Sequence, residues 1–223
     1  MPEVAMIRLA SNSPRRRELM ALGDWIVESC VPEVDETPSA GEAPADYVLR
    51  LAEAKARAAL SGPDDGAYIV AADTAVVDDD GILGKPADAM DARRVLRQLR
   101  GRTHKVYTGL AVLKTDSGSL VKEVCVTDVP MRQYSDAEID AYVASGDPLD
   151  KAGAYGIQHP GFHPVRSMSG CYASVMGMPL CHLMRLLARL DVPVQADLPR
   201  RCQAHLNYAC PVTGPILRGE PVG

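Results

Sequence analysis

Three groups of residues in this 223-residue chain are of types that bind anions or move protons. The first is "SNSPRRR", where Ser11, Ser13, Arg15, Arg16 and Arg17 separate an apolar run from a helix-forming one. Free N–H groups and the helix dipole make a strand-to-helix junction favourable for phosphate, and arginine adds planar donor forks. Cations near a helix N-terminus are otherwise unfavourable, by about 0.3–1 kcal/mol each, so an anion there would compensate for their placement. Solvated surface arginines are the alternative reading of the same run.

The second group centres on Asp73, which follows "AYIVAA" and so lies inside a buried strand or at its end. A buried carboxylate needs a cation, a metal or hydrogen bonds, which suits a general base or a metal ligand. The alternative is a turn-forming aspartate with Thr74 bonding locally. Lys55 recurs with Val48, Leu51, Ala52 and Ala59 at helical spacing, on or beside an apolar face, where it either snorkels or points into a cleft. Lys85 stands between Gly84 and Pro86, a backbone suited to holding its side chain toward a site, although a solvated loop lysine would look the same. The third group is the acidic loop "VPEVDETP", in which Glu33, Asp35 and Glu36 are either solvated or oxygen ligands for a hard divalent cation.

Other chemistries lack their patterns. His104, His159 and His163 have no H-E-x-x-H spacing, and the serines have no G-x-S-x-G elbow. There is no P-loop and no G-x-G-x-x-G. Cysteines 30, 125, 171, 181, 202 and 210 make no C-x-x-C, and Cys202, His205 and Cys210 do not match a standard metal spacing. A formal charge of -5, with one Trp, one Phe and eight Tyr, argues against a nucleic-acid partner. No apolar run approaches the roughly 20 residues that cross a bilayer, and the N-terminus lacks signal-peptide features. The chain therefore reads as cytoplasmic, with no membrane partner.

The elements that must position these residues follow from patterning. "VAMIRLA" predicts a first strand, and Ser13 and Pro14 the N-cap and first residue of a helix closed at Gly23. A helix is expected from Pro44 to Leu60, then the strand "AYIVAADTAVV", then a hairpin at Asp80 and Gly81. Asp88 caps a helix stopping at Gly101, "HKVYTGLAVL" and "LVKEVCVTDVPMR" predict antiparallel strands, and Ser135 with Glu138 forms a capping box. "CYASVMG" is expected as a strand and "PLCHLMRLLARL" as a helix begun at Pro179. Interleaved strands and helices with hairpins predict an α/β fold with a mixed sheet. Residues 1–193 are expected to form one domain, and 194–223, Pro- and Gly-rich without periodicity, a loosely ordered tail.

The ordered series "LASNSPRRRELM", "VDET", "RLAEAKA", "AADTAVV", "GKP", "LRGRTHKVYTGLAV", "SDAEIDAYVASGDPLDKAGAYGIQ" and "VMGMPL" resembles the Maf (septum formation inhibitor) family over roughly residues 6 to 190. The resemblance implies a Maf/Ham1-like elongated fold, a mixed twisted sheet flanked by helices around a central nucleotide cleft, often as a homodimer. It implies a house-cleaning nucleoside triphosphate pyrophosphatase that releases a nucleoside monophosphate and pyrophosphate with a divalent cation, Mg2+ or Mn2+. Asp73 falls on the family's proton acceptor. Ser11, Arg15, Arg16, Lys55 and Lys85 fall on phosphate-site positions, with Glu36 and Asp73 on the metal.

Arg15, Thr74 and Gln158 match the branch that resembles dTTP and UTP pyrophosphatases; the branch similar to 7-methyl-GTP pyrophosphatases usually has a bulky aromatic and a glutamine in place of the first two. A glutamine amide offers both a donor and an acceptor to O4 and N3–H of uracil or thymine. Departures from the family pattern begin after Gln158, in "HPGFHPVRSMSGCYASVMGMPL", with Ser174 where asparagine is common, and they bear on base selectivity and loop shape. The competing readings are a 7-methyl-GTP-type pyrophosphatase and a non-catalytic nucleotide-binding regulator of cell division.

Overall fold

The computed structural model describes residues 5–60, 67–79 and 81–223. Its centre is a six-stranded mixed sheet in the order β2-β1-β3-β5-β6, made of β1 (Met6–Ala10), β2 (Ile26–Cys30), β3 (Tyr68–Asp78), β5 (Thr103–Lys114) and β6 (Leu120–Pro130), with β4 (Gly81–Leu83) paired to β3. β1 runs parallel to β2 and β3, whereas β3–β4, β3–β5 and β5–β6 are antiparallel. The expected mixed α/β class is therefore what the chain adopts. Asp80 lies outside the described residues, but the hairpin expected there has Asp78 opposite Gly81.

Helices cover both faces. α1 (Pro14–Met20) starts from Ser13, whose hydroxyl accepts from Arg16 N, and Pro14 fills the first helical position. α2 (Pro44–Ala58) and its C-cap lay the small residues Ala52, Ala56 and Ala59 on Ile69, Ala71, Ala111 and Leu113. On the opposite face, α5 (Tyr172–Val175) and α6 (Leu180–Ala188) close the core over Ile7, Leu9, Val70, Ala72, Leu110 and Val112. Further along the same strands, α3 (Ala89–Leu99) and α4 (Asp136–Ala144) pack on Val76, Val106 and Val129. Asp88 and the Ser135–Glu138 box cap these two helices as their sequence requires.

The position of the cleft follows from strand pairing. β1 meets β3 only at Tyr68, Ile69 and Val70, and β4 meets it only at Val76, Val77 and Asp78. Residues 71–75 thus have no partner strand on that edge among the described residues, while β5 pairs them throughout on the other. At about 3.3 Å per residue the opening is roughly 20 Å long. β1 runs parallel to β3 and β4 antiparallel, so the C-terminal ends of both point into this gap. They deliver "SNSPRRR" from one side and Gly84-Lys85 from the other, to the edge that carries Asp73 and Thr74.

Three expectations differ from the structure. β2 gave no signal because it is an edge strand with only half-buried and exposed residues. "CYASVMG" contains the helix α5 rather than a strand; a short apolar run has no periodicity that separates the two, and here it packs on β5 and β6 instead of joining the sheet. The segment 194–223, expected as loosely ordered, holds α7 (Leu198–Leu206) and α8 (Thr213–Leu217), with Leu198 and Ile216 fully buried. Each helix is too short to announce itself by periodicity, and its order comes from packing against α6 and from Arg201, which donates to Asp24 at 2.7 Å. Among the described residues no helix is long and apolar enough to cross a membrane.

Gly109 lies directly opposite Asp73 in the β3–β5 register, under α2. A Cβ there would sit 2.5 Å from the Val48 carbonyl oxygen and 2.6 Å from its carbon, so only glycine lets α2 lie this close to the sheet. We expect Gly109→Ala to lift α2 and cost about 1–3 kcal/mol, the usual range for overpacking. An unchanged denaturation midpoint would show that the helix accommodates the methyl group.

Candidate active site

Asp73 projects from the gap in β3 toward α2 and is 8% exposed. Lys55 on α2 donates to Asp73 Oδ1 at 2.6 Å and lies 2.6 Å from Glu36 Oε1, so one ammonium bridges two carboxylates. Lys55 shares its helical face with Val48, Leu51 and Ala52, which turns the snorkelling alternative into a lysine held inside the cleft. The loop bearing Glu36 is tied down by α2 as well: Tyr47 OH donates to Glu36 O at 2.9 Å, and Arg50 donates to Thr37 O and pairs with Glu42 at 2.6 Å.

Burial raises the Asp73 pKa above the ordinary carboxylate value, outweighing the charge and hydrogen bond of Lys55 and the more distant Arg16. Glu36 is held below its ordinary value: burial pushes it up, but the Lys55 hydrogen bond and charge, with Lys85 and Arg16, prevail. Two neighbouring carboxylates thus have their affinities for a proton shifted in opposite directions, up for the buried Asp73 and down for Glu36.

The three consecutive arginines have three different environments. Arg17 is exposed and donates to Asn12 O and Oδ1. Arg16 is built into the protein: Nε donates to Gly177 O at 3.0 Å, Nη1 to Ser11 Oγ at 3.3 Å and Nη2 to Thr74 Oγ1 at 3.2 Å. Burial lowers its pKa, with Asp73 opposing and Arg15 reinforcing the shift. Thr108 then donates to Ser174 O at 2.8 Å, which leaves Thr74 as the donor in its 3.0 Å contact with Thr108. A directed chain therefore runs Arg16, Thr74, Thr108, Ser174 O. The side chains of Arg15 and Lys85 line the cleft and make no hydrogen bond or ion pair with the protein among the described residues.

The far wall is the segment 147–160. Lys151 donates to Asp147 Oδ1 at 2.9 Å and Asp150 Oδ1 at 2.7 Å, Tyr142 OH to Asp147 Oδ2 at 2.6 Å, and Gly156 N to Tyr142 OH at 2.8 Å. Gln158 stands exposed on this wall, its side chain without a hydrogen-bond partner among the described residues. The cleft has a volume of about 1240 Å3, and Ser11, Arg15, Arg16, Glu36, Lys55, Asp73, Thr74, Lys85 and Gln158 all line it. The basic residues, Asp73 and Glu36 are thereby brought to one cavity, large enough for a nucleotide, whereas Glu33 and Asp35 of the same acidic loop do not line it and Asp35 accepts from Thr37 N at 2.9 Å.

Thr108, Gly177 and Lys151 were missed. Thr108 reads as one more residue of a β-strand, and its role depends on a neighbour across the sheet; Gly177 acts through its carbonyl, which no side-chain pattern reveals. Lys151 sits in the family-like segment "DKAGAYGIQ", the one available signal.

No group of three or more His, Cys, Asp or Glu arranged to hold a metal occurs among the described residues. Mg2+ and Mn2+ need fewer, commonly one or two carboxylates with substrate phosphates and water completing the shell. Asp73 and Glu36, oxygen donors brought to the same ammonium, fit that requirement.

Residues 6–190 match the family described as Maf-like protein. The chain belongs to the Maf-like family. Among Maf-like relatives, a dTTP/UTP pyrophosphatase of Shewanella sp. (strain MR-7) is 47% identical over 192 residues, covering 82% of this chain and 97% of that protein. A dTTP/UTP pyrophosphatase of Geobacter sulfurreducens is 44% identical over 188 residues, covering 84% and 98%. A crystal structure of a nucleoside-triphosphatase / dITP/XTP pyrophosphatase from Mycobacterium abscessus aligns over 83% of this Maf-like chain and 94% of its own, with 19% identity and a TM-score of 0.42.

Two outcomes test this geometry. Thr108→Val removes the hydroxyl that satisfies the Ser174 carbonyl in a fully buried position, and we expect a loss of about 1–3 kcal/mol in chemical denaturation. An unaltered midpoint would mean that the Thr74–Thr108 chain contributes nothing to stability.

His104 holds the cleft residue Tyr155 through a 2.8 Å hydrogen bond, and burial pushes its pKa from 6.5 down to about 4, against Asp78 and Asp128. Between 6.5 and 4 the unfolded chain binds the proton first, so this contribution to stability is complete above 6.5 and declines as pH falls. The loss is about 2 kcal/mol near pH 5. Melting curves at pH 7 and pH 5 should show it in the wild type and not in His104→Gln; equal pH dependence in both would exclude His104 as its source.

Proposed function

We propose that this chain is a nucleoside triphosphate pyrophosphatase that hydrolyses dTTP and UTP to the nucleoside monophosphate and pyrophosphate. The observation that carries it is Asp73, a buried carboxylate with a raised proton affinity, set in a cleft against Lys55 and across from the unpaired cations Arg15 and Lys85. Identity of 47% and 44% to relatives named dTTP/UTP pyrophosphatase supports the choice of reaction.

Asp73 accepts a proton from water as the water oxygen bonds to the α-phosphorus and the bridging bond to the β-phosphate breaks. Arg15 and Lys85, with the remaining N–H groups of Arg16, neutralise charge on the triphosphate, and Ser11 sits where the loop turns into α1. Lys55 keeps Asp73 and Glu36 in place. Asp73 and Glu36 would hold Mg2+ or Mn2+, which when bound supplies further positive charge to the phosphate oxygens.

Base choice falls to the far wall. Gln158 presents a free amide that can pair with O4 and N3–H of uracil or thymine. Thr74 contributes indirectly, since its hydroxyl is occupied by Arg16 and Thr108. Arg15 and Thr74 favour dTTP and UTP over 7-methyl-GTP. The same reading makes this a cytoplasmic enzyme, with a nucleoside triphosphate rather than nucleic acid as its partner, working as a homodimer.

The test is pyrophosphate release from dTTP, UTP, CTP, GTP and 7-methyl-GTP with Mg2+ or Mn2+, wild type beside Asp73→Asn. We expect turnover of dTTP and UTP, reduced about 10²–10⁴-fold in the variant, the usual contribution of a general base. Turnover confined to 7-methyl-GTP would overturn the substrate, and no turnover of any nucleotide would leave the binding-only regulator.

A further inference from the structure

His159 follows Gln158 on the far wall and lines the same cleft, yet the reaction as derived above does not use it. Its setting is unusually constrained. The backbone N–H donates to Gly156 O at 3.1 Å, and its carbonyl accepts from His163 N at 3.2 Å. Nδ1 of the ring accepts from Phe162 N at 3.0 Å and from Gly161 N at 3.3 Å. The ring stands edge-on to Tyr142, centroids 4.7 Å apart at 62°, and Tyr142 is itself stacked on Phe162 at 4.3 Å and anchored through its hydroxyl to Asp147.

A neutral imidazole has one donor and one acceptor nitrogen. With Nδ1 committed as the acceptor of two backbone N–H groups, the hydrogen must reside on Nε2. Nε2 has no protein partner among the described residues, and the contacts on the other side of the ring leave little freedom to turn. An otherwise ambivalent side chain is therefore a donor of fixed polarity, on a residue that lines the cleft and follows Gln158 in the chain.

We propose that His159 is a base-specificity residue: its Nε2–H donates to O4 of uracil or thymine next to Gln158, and opposes the amino group that cytosine carries at that position. Uracil and cytosine have closely similar shapes, so packing alone separates them poorly. A donor facing an acceptor in one and a donor in the other separates them better, because the mismatch sets two donors against each other and leaves both unpaired. The proposal rests on the pyrimidine triphosphate reading above and assigns this chain's own departure from the family pattern after Gln158 a function.

The test compares kcat/KM for UTP and CTP in the wild type, His159→Asn and His159→Gln, with thermal melts alongside. Asparagine can retain an acceptor for the Gly161 and Phe162 N–H groups but loses the donor at the Nε2 position; glutamine reaches that position with an amide N–H. We expect His159→Asn to lose about tenfold in kcat/KM for UTP, mainly through KM, with CTP unchanged or improved. The UTP-to-CTP ratio then falls by about tenfold, and His159→Gln recovers part of it. A ratio unchanged in His159→Asn, an equal loss on both nucleotides, or no recovery with glutamine would overturn the donor role while leaving the pyrophosphatase reading intact. A wild type that turns over no nucleoside triphosphate would overturn both.

Discussion

The structure is organised around a carboxylate that cannot be left alone in its surroundings. Asp73 ends a buried run of β3, residues 69–73, and is itself 8% exposed, where an unpaired charge would be costly. Lys55 answers it from α2 at 2.6 Å, which requires α2 to lie flat and close on the sheet. That closeness depends in turn on Gly109 and on the alanines of the α2 face. The same lysine then gathers Glu36 and its loop, so one ion pair sets the separation of helix, strand and acidic loop. Truncating one member of such a pair leaves the other charged and buried, which is why the arrangement acts as a unit.

The second constraint is the opening in the edge of β3. Because β1 and β4 both end there, the backbone that would otherwise be sealed by a neighbouring strand faces the cleft instead. Loops at strand ends are free to carry side chains of any charge, whereas the strands behind them are rigid. The cleft is therefore lined from one side by the start of α1 and from the other by Lys85, with Asp73 and Thr74 between them on a strand braced by β5 from Tyr68 to Val77. Rigid placement of charges that need not reorganise is what an electrostatic mechanism requires.

Adjacent residues of the same type do different work here. Arg16 spends three N–H groups on Gly177, Ser11 and Thr74 and holds three elements together, while Arg15 keeps its guanidinium free for the cleft and Arg17 turns to Asn12. On a helix, consecutive residues point about 100° apart, so a run of three cannot present one face. The far wall follows the same logic, with Lys151 and Asp147 consumed in support and Gln158 and His159 left to face outward.

Much of this was legible without coordinates. Caps at Ser13, Asp88 and Ser135, the strands of the β3–β5–β6 meander and the helical face of Lys55 are local facts, because hydrogen-bonding groups and side-chain periodicity within a few residues determine them. So were the residue types able to bind phosphate, metal and base, which the chemistry of arginine, lysine and carboxylate restricts. Edge strand β2, helix α5 and the packed helices of 194–223 were not legible, since each is ordered by distant partners rather than by its own pattern. The same holds for which arginine is free, for the role of Thr108 and for the locked imidazole of His159. A side chain's hydrogen-bond partners, and hence its charge, polarity and freedom, are decided by residues far away in the chain, and only tertiary packing brings those together.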